Sequence, residues 1–397
     1  MPVSRRSFVA TLGAGATGLL SAPLINWRGH EALYAFQQTG SPEPRSERLL
    51  ASLPGMVRLD SNENPNGPGK HALDAIVKHL TMSNRYPVKE QDDLLQMIAR
   101  VQGVKPENVI MGCGSGEMLR VAVQVFTSPT RPLVAPDPTF ESPGNFAKLI
   151  GVQVRAPKVD SKLKIDLDST SDAAKGAGLV YFCNPNNPTA TVHGASDVHS
   201  FVDRTLKASP DTYILIDEAY HEYVADPSYQ TMIPLAIANP RVIVTRTFSK
   251  VFGMAGLRLG YAIGQPETIK KMQAWLLGAS INQLAIASAM GTIDDKSHIA
   301  DEIKKNADAR AFTRKFFESA GYTVHSADAN FLMVDIHRDS KQFKLEVAKH
   351  KVAIGRQFPS LPTHTRVSIG TMPEMKKAVA AMQQVLASSA ATSQHHH

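Results

Sequence analysis

Residues 213–220 read YILIDEAY, and residues 242–250 read VIVTRTFSK. Each stretch begins with an uncharged apolar run and then passes into polar residues, which include Asp217 in the first and Lys250 in the second. Apolar runs of this length are typical of strands that are buried on both faces of a parallel sheet. Because ligands bind at the carboxyl ends of such strands, we predict that Asp217 and Lys250 face one ligand site.

Short apolar runs of the same kind recur along the chain and alternate with helical patterns. They are bounded by Pro, Gly or Asp, and they lie at residues 108–111, 133–135, 178–182, 260–263, 330–334 and 366–369. Strands that alternate with helices predict an α/β fold with a mostly parallel sheet. One long helical stretch is expected from Thr268 to about Ala320, bridging two domains, and a last helix is expected after Pro373.

Composition excludes several classes of protein. The chain has 397 residues, of which 43% are hydrophobic and 20% are charged, as is ordinary for a globular protein of two domains. The net charge of +7 comes from scattered basic residues, so no nucleic-acid site is expected. Two cysteines form no disulfide framework, and the scattered histidines predict no metal site. Beyond the N-terminus no apolar run reaches the roughly 18 residues that a membrane span needs.

The N-terminus has the pattern of an export signal. Arg5 and Arg6 precede Phe8, and an uncharged run rich in Ala, Gly and Leu follows over residues 9–20. This order is typical of a twin-arginine signal peptide, which we place at residues 1–35, and it predicts export by the twin-arginine machinery to the periplasm or beyond. The alternative is a loose N-terminal helix with two chance arginines.

A phosphate group is the ligand that the next motifs favour. Residues 112–118, GCGSGEM, follow a predicted strand and open a helix, whose first backbone N–H groups can bind an anion. Thr247 and Ser249 add hydroxyl groups beside Lys250, and Arg258 adds a fixed positive charge. A nicotinamide dinucleotide fold is the rival interpretation, but no acidic residue ends the next strand near residue 135.

Lys250 and Asp217 would supply the chemistry at this site. A nucleophilic lysine needs a lowered pKa, which burial and neighbouring cations provide. A buried carboxylate at Asp217 could keep a bound ring nitrogen protonated, although a helix N-cap would also explain the residue. Asn187, in the loop 183–189 (CNPNNPT), and Tyr220 could bind a phenolic oxygen. Phe140 could stack on a flat ring, with a core position as the alternative.

Together these motifs resemble fold-type I pyridoxal phosphate (PLP) enzymes of the aspartate aminotransferase superfamily, in particular histidinol-phosphate aminotransferases and their relatives. The resemblance runs from about Leu59 to Leu386. The motifs stand in the family's order, which is LDSNENP at 59–65, RYP at 85–87, GCGSGE at 112–117, NPNNPT at 184–189, DEAY at 217–220, SK at 249–250, Arg258, and RVSIGT at 366–371. It implies a three-layer fold, with a mostly parallel central sheet in a large domain and a smaller α+β domain.

The resemblance implies a role for each matching residue. Lys250 would hold PLP covalently and carry a proton, Asp217 would pair with the pyridine nitrogen, and Tyr220 and Asn187 would bind the phenolic oxygen. Further cofactor contacts would come from Gly114, Ser115, Gly116, Phe140, Thr247, Ser249 and Arg258. Tyr86 would reach the phosphate from the other subunit of a homodimer.

Substrate contacts are assigned in the same way. Arg366 would bind the acidic group of the substrate, and Asn64 would line the substrate site. Arg356 would lie near the anionic end of the substrate, although it could also be a surface cation. Gly116, Phe140 and Ala190 depart from the residues that are usual in the family, which leaves the substrate open. Because histidine biosynthesis is cytoplasmic, an exported enzyme would serve another pathway.

The expected activity is that of a class I/II aminotransferase, which moves an amino group between an amino acid or related amine and a 2-oxo acid by a ping-pong mechanism. The alternative is an amino-acid oxidase, for example of arginine, or other PLP chemistry on the same fold. A non-catalytic binding protein would be expected to carry an added DNA-binding domain, and no helix-turn-helix segment precedes Leu59. The predicted domains are an arm and linker with part of the small domain (36–84), a large PLP-binding domain (85–280), a small domain (281–390), and a tail with a tag remnant (391–397).

Overall fold

The computed structural model describes residues 51–325 and 328–393. The predicted signal peptide, residues 36–50 of the predicted arm and linker segment, and the last four residues lie outside this part of the chain. Among the described helices, none combines the length and apolarity that crossing a bilayer requires.

Twelve strands form in the described residues. They are β1 (Val57–Leu59), β2 (Val109–Gly112), β3 (Leu133–Val134), β4 (Val154–Arg155), β5 (Leu179–Cys183), β6 (Tyr213–Asp217), β7 (Val242–Thr247), β8 (Gly260–Ile263), β9 (Thr323–Val324), β10 (Phe331–Asp335), β11 (Val352–Ile354) and β12 (His364–Ser368). Each apolar run that predicted a strand therefore overlaps one, with ends that differ by no more than two residues.

Twelve α-helices accompany them within the same residues. They are α1 (Lys70–His79), α2 (Val88–Gln102), α3 (Ser115–Phe126), α4 (Ser142–Leu149), α5 (Leu167–Ala173), α6 (Ala195–Ala208), α7 (Ile233–Ala238), α8 (Pro266–Gln273), α9 (Gln283–Met290), α10 (Lys296–Ser319), α11 (Ser340–Lys349) and α12 (Met372–Ser393). The helix predicted after Pro373 is α12.

Seven strands form the larger sheet, in the order β2-β8-β7-β6-β5-β3-β4. Strands β3, β4, β5, β6 and β7 run parallel to one another, and β8 is antiparallel to both β2 and β7. All residues of β5 and β6 are buried. In β6, Ile214 and Ile216 pack into one hydrophobic cluster, whereas Tyr213 and Leu215 pack into another. This alternation shows that helices cover both faces of the sheet, as the α/β prediction requires.

The smaller sheets share a separate hydrophobic cluster. Strand β10 pairs antiparallel with β12 and β9, and β1 pairs in parallel with β11. Leu332, Val334, Ile354 and Val367 pack there with side chains of α10, α11 and α12, together with Leu59 of β1. The domain boundaries near residues 84 and 280 stay a prediction.

The prediction of one helix from Thr268 to about Ala320 is wrong, because α8, α9 and α10 are separate helices. Two polar side chains divide the predicted helix, because each caps the N-terminus of a new one. Asn282 accepts the backbone N–H of Ala285, and Asp295 accepts that of His298, so each caps the start of a new helix. Both cap residues stand in the sequence, but the helix-forming residues on either side of them made the region read as one helix.

Candidate active site

Asp217 and Lys250 lie at the carboxyl ends of neighbouring parallel strands, β6 and β7, as predicted. Asp217 is 3% exposed, and both of its carboxylate oxygens accept hydrogen bonds. Tyr181 Oη donates to Oδ2 over 2.8 Å, and Thr245 Oγ1 donates to Oδ1 over 3.1 Å. Burial raises the pKa of Asp217, although these two hydrogen bonds lower it in part. An ionised carboxylate here gains most from pairing with a cationic ligand atom.

Lys250 has the lowered pKa that a nucleophilic lysine needs. Burial lowers the pKa of its amine to about 8, with help from the charges of Arg366 and Arg258 and against those of Glu63 and Asp217. Lys250 Nζ donates to the backbone oxygen of Asn62 over 3.0 Å. Since pH 7 lies about one unit below this pKa, roughly a tenth of the lysine is neutral there.

A cradle for an anion lies at the start of α3. Gly114, with φ of +78°, precedes the first helical residue, Ser115. A Cβ on Gly114 would lie 2.3 Å from Arg258 Nη2, and a Cβ on Gly260 would lie 2.2 Å from the backbone nitrogen of Ser115. Arg258 Nη1 also lies 3.4 Å from Ser249 Oγ. Only glycines at these two positions let the guanidinium, the hydroxyl and the first N–H groups of the helix meet.

These residues fit PLP. The cradle supplies N–H and O–H donors and a fixed cation for a phosphate dianion. Asp217 supplies a buried carboxylate for a pyridinium nitrogen, and Lys250 supplies an amine that is partly neutral near pH 7. Thr247 Oγ1 accepts the backbone N–H of Ser249 over 3.1 Å, which orders the turn before Lys250.

Asn62 is a site residue that the sequence analysis missed. Its backbone oxygen accepts from Lys250, its Nδ2 donates to Tyr220 Oη over 3.1 Å, and its Oδ1 accepts from Ser368 Oγ over 2.8 Å. It is 1% exposed and has φ of +52°, a strained conformation that such contacts must hold. The motif at 59–65 contained it, but nothing in the sequence distinguished Asn62 from Asn64.

The side chain of Asn64 hydrogen-bonds to the protein backbone on both sides of its amide. Its Nδ2 donates to the backbone oxygen of Val251 over 2.9 Å, and its Oδ1 accepts the backbone N–H of Asn66 over 3.0 Å. Its amide therefore orders the loop that carries Asn62.

Arg366, which the sequence analysis predicted to bind substrate, hydrogen-bonds to Asn187, which it predicted to bind the cofactor. Arg366 Nη1 donates to Asn187 Oδ1 over 2.9 Å, and Nη2 donates to the backbone oxygen of Asp60 over 2.8 Å. Arg366 Nε is buried and has no hydrogen-bond partner among the described residues. Burial lowers the pKa of Arg366 to about 10, which leaves it charged at neutral pH. Asn187 thus has its Nδ2 available as the donor to a bound ligand.

Arg356 is not a free surface cation. Its guanidinium pairs with the carboxylate of Glu141 and lies 4.2 Å from the centre of the Phe358 ring. Arg366 lies 5.5 Å from the centre of the same ring. Glu141 was not among the predicted site residues, because it lies more than 200 residues from Arg356 in sequence.

Three predicted residues contribute less to this chain's own site. Tyr86 is 80% exposed, and no side-chain hydrogen bond within the described residues ties it to the site. Phe140 packs against the cluster that contains Tyr213 and Leu215, so part of its ring serves the core. Gly116 lies in the first turn of α3.

A buried ion pair supports the turn that follows Asp217. Arg246 Nε donates to Glu218 Oε2 over 2.8 Å, and Glu218 Oε1 accepts the backbone N–H of Met232 over 2.6 Å. Arg246 Nη2 donates to Thr231 Oγ1 over 2.9 Å. The pair ties β7 to the loop after β6 and so fixes the strand ends that carry Asp217 and Lys250.

Comparison with known proteins places this geometry in a family. The family model for aminotransferase class I and II matches residues 54–382. The histidinol-phosphate aminotransferase of Moorella thermoacetica is 32% identical over 352 residues, which are 88% of this chain and 90% of that protein. That of Symbiobacterium thermophilum is 31% identical, over 87% of this chain and 95% of that protein.

Solved structures show the same fold. The histidinol-phosphate aminotransferase of Sinorhizobium meliloti in complex with pyridoxal-5'-phosphate has a TM-score of 0.78 and 24% identity, covering 93% of this chain and 96% of that chain. The aspartate aminotransferase of Thermus thermophilus with maleate has a TM-score of 0.75 and 18% identity, covering 92% and 100%. The oxidase alternative gains no support from these relatives. The chain belongs to the class I and II aminotransferase family, and it is a PLP-dependent aminotransferase whose substrates are an amino acid and a 2-oxo acid.

Proposed function

We propose that Lys250, Asp217 and the cradle of Gly114, Ser115 and Arg258 hold PLP, and that Arg366 holds the carboxylate of the amino acid. The observation that carries this proposal is the buried Nε of Arg366, which has no partner among the described residues and belongs to a guanidinium close to Asn187. A buried donor without a partner costs free energy, which an incoming carboxylate would recover.

Each residue then has a defined task. When bound, PLP supplies an electron sink for the charge that develops when the α-carbon loses its proton. Lys250 Nζ takes the proton from the α-carbon of the donor, and the backbone oxygen of Asn62 orients this amine. Asp217 holds positive charge on the pyridine nitrogen, and Tyr220 Oη and Asn187 Nδ2 donate to the phenolic oxygen.

The test is a half-reaction. The visible absorption of the PLP-loaded protein is recorded with single amino acids, in the absence of any 2-oxo acid. We expect one class of donor to convert the cofactor to its amine form, and we expect an added 2-oxo acid to restore the original spectrum. Oxygen consumption without such conversion would argue for an oxidase instead.

Histidinol phosphate, for which the curated relatives are named, is a candidate donor. It carries a phosphate dianion in place of a carboxylate. Its fit depends on the charges of Arg356, Arg366 and Glu141, which lie close together. We assign these three residues to the substrate end of the site.

We also propose a homodimer in which Tyr86 binds the phosphate of the partner's cofactor. Large apolar side chains are also exposed in the segment 73–88 that contains this residue, and a symmetric contact would bury them. They include Leu73, Val77, Leu80, Met82 and Val88, with exposed fractions from 38% to 78%.

Tyr86→Phe should weaken PLP binding about tenfold, because one hydrogen bond to a charged group is lost. Sedimentation velocity should show a dimer for both wild type and variant. Tyr322→Phe, which removes a hydroxyl from the cluster of the smaller sheets, is the matched control. A monomeric wild-type protein that binds PLP with full affinity would disprove the shared site.

Export is the last part of the proposal, and the twin-arginine motif supports it. We expect Arg5→Lys combined with Arg6→Lys to hold the protein in the cytoplasm of a bacterial host that exports the wild type. Cell fractionation with an activity assay measures the distribution. Equal distribution of the two proteins would argue against this route.

A further inference from the structure

Arg356 and Arg366 differ in whether a carboxylate of the protein pairs with them. Arg356 forms an ion pair with Glu141, in which the arginine side chain is 11% exposed and the glutamate side chain 26%. No carboxylate of the described residues lies within ion-pair distance of Arg366, whose hydrogen bonds go to the amide of Asn187 and the backbone of Asp60. One of the two arginines is therefore neutralised within the protein, and the other keeps its charge for a ligand.

The Glu141 side chain pairs with Arg356 and does not cap the helix that follows it. Glu141 stands immediately before α4, yet its side chain makes no capping hydrogen bond to that helix. Its carboxylate instead turns toward Arg356, which stacks on Phe358, a ring that is 2% exposed. Arg366 faces the same ring, and the charges of both guanidinium groups act on the Glu141 carboxylate.

The partly buried Glu141 carboxylate disfavours the binding of a second anion beside it. Burial raises the pKa of Glu141, although the charges of Arg356 and Arg366 lower it in part. A second anion brought to Arg356 would have to separate the existing pair or approach the carboxylate closely. Like charges placed together in a partly desolvated site are strongly disfavoured.

We propose that Glu141 sets the charge class of the amino donor, which is an amino acid with one carboxylate and a neutral or cationic side chain. The carboxylate of the donor binds Arg366, and its side chain meets the Glu141–Arg356 pair, where Glu141 accepts hydrogen bonds from side-chain donors. A phosphate dianion or a side-chain carboxylate is selected against. This inference rests on the proposed placement of the donor at Arg366.

The experiment compares two ratios in the PLP-loaded protein. The first is the half-reaction efficiency with histidinol phosphate or glutamate, divided by that with phenylalanine or arginine. The second is the affinity for inorganic phosphate divided by that for acetate, read from the shift of the cofactor spectrum. In wild type we expect both ratios to favour the monoanion. In Glu141→Gln, which removes the charge but keeps the shape, we expect both to shift toward the dianion by about tenfold or more.

Two variants make the result specific. Glu141→Asp keeps the charge and should keep the wild-type order of donors. Asp137→Asn removes a nearby carboxylate that pairs with Lys158 and accepts from Ser360, not from Arg356. Its charge acts on Glu141 only as the weakest of several influences, so this variant should shift both ratios much less than Glu141→Gln does. A wild-type preference for histidinol phosphate, or unchanged ratios in Glu141→Gln, would overturn the inference. If no donor reacts, the proposed function fails, while the phosphate-to-acetate ratio still decides the role of Glu141.

Discussion

Lys250→Ala should lower the rate of amino transfer by about four orders of magnitude or more, because both tasks of the amine are lost together. A positioned general base contributes about 10²–10⁴-fold, and the loss of a covalent attachment point adds to this. Steady-state kinetics with the donor found in the half-reaction, and the visible spectrum of the loaded protein, measure the two losses separately.

The fold should survive this substitution. Lys250 Nζ has one protein hydrogen bond, to the backbone oxygen of Asn62, and burial disfavours its charge. The free energy of unfolding should therefore change by only about 1 kcal/mol, which thermal unfolding can check. Lys250→Arg is the matched control, since a guanidinium keeps the charge but does not become a neutral base. We expect it to be as inactive as the alanine variant.

The pH dependence follows from the lowered pKa of Lys250. Below about pH 8 the protonated amine predominates and cannot attack the cofactor. Loading of the cofactor-free protein with PLP should therefore slow by about tenfold for each pH unit below this value and level off above it.

Small amines added to Lys250→Ala should restore part of the proton transfer. If Lys250→Ala kept its activity within tenfold of wild type, Lys250 would not be a catalytic residue.

The sheet and the cofactor residues were predictable because local patterns encode them. A strand buried on both faces must be an apolar run, and Asp217, Lys250 and Arg258 each follow or adjoin such a run. Their meeting then follows from the rule that ligands bind at the carboxyl ends of parallel strands. The twin-arginine motif was as plain in the sequence, but it lies outside the described residues.

Contacts between distant segments were not predictable in this way. Asn62 is joined to Ser368 across 306 positions, and Glu141 to Arg356 across 215. No periodicity or spacing indicates such pairs, because they form only when segments far apart in sequence fold against each other. The breaks between α8, α9 and α10 were missed for a different reason: each depends on one local capping side chain, and helix-forming residues stand on either side of it.

Asp217→Asn should reduce kcat by roughly 10²–10³-fold, because the fixed negative charge opposite the ring nitrogen is lost while the shape is kept. The pocket can accept an amide without a clash. Tyr181 Oη and Thr245 Oγ1 now donate to the two carboxylate oxygens, and either hydroxyl can rotate to accept from an amide N–H instead.

Asp217→Asn should stabilise the cofactor-free protein above the pKa of Asp217, although it lowers kcat. Burial raises the pKa of Asp217 in the folded chain above its value in the unfolded chain, so folding favours the protonated form. The cofactor-free wild type therefore loses stability as pH rises through that interval, from the unfolded pKa to the higher folded one, and stays less stable above it. Asp217→Asn has no such loss. We expect the variant to unfold at a higher temperature than the cofactor-free wild type at pH 8, with the difference vanishing in acid.

Tyr181→Phe separates charge from hydrogen bonding. It removes the donor to Asp217 Oδ2 but keeps the carboxylate, and it should cost less than about tenfold in kcat.

Bound PLP should reverse the stability order of wild type and Asp217→Asn, since only the carboxylate pairs with a cationic ring nitrogen. If Asp217→Asn kept kcat within about fivefold of wild type, the charge would not be the essential feature. The buried carboxylate would then serve the turn before Tyr220 instead of the cofactor.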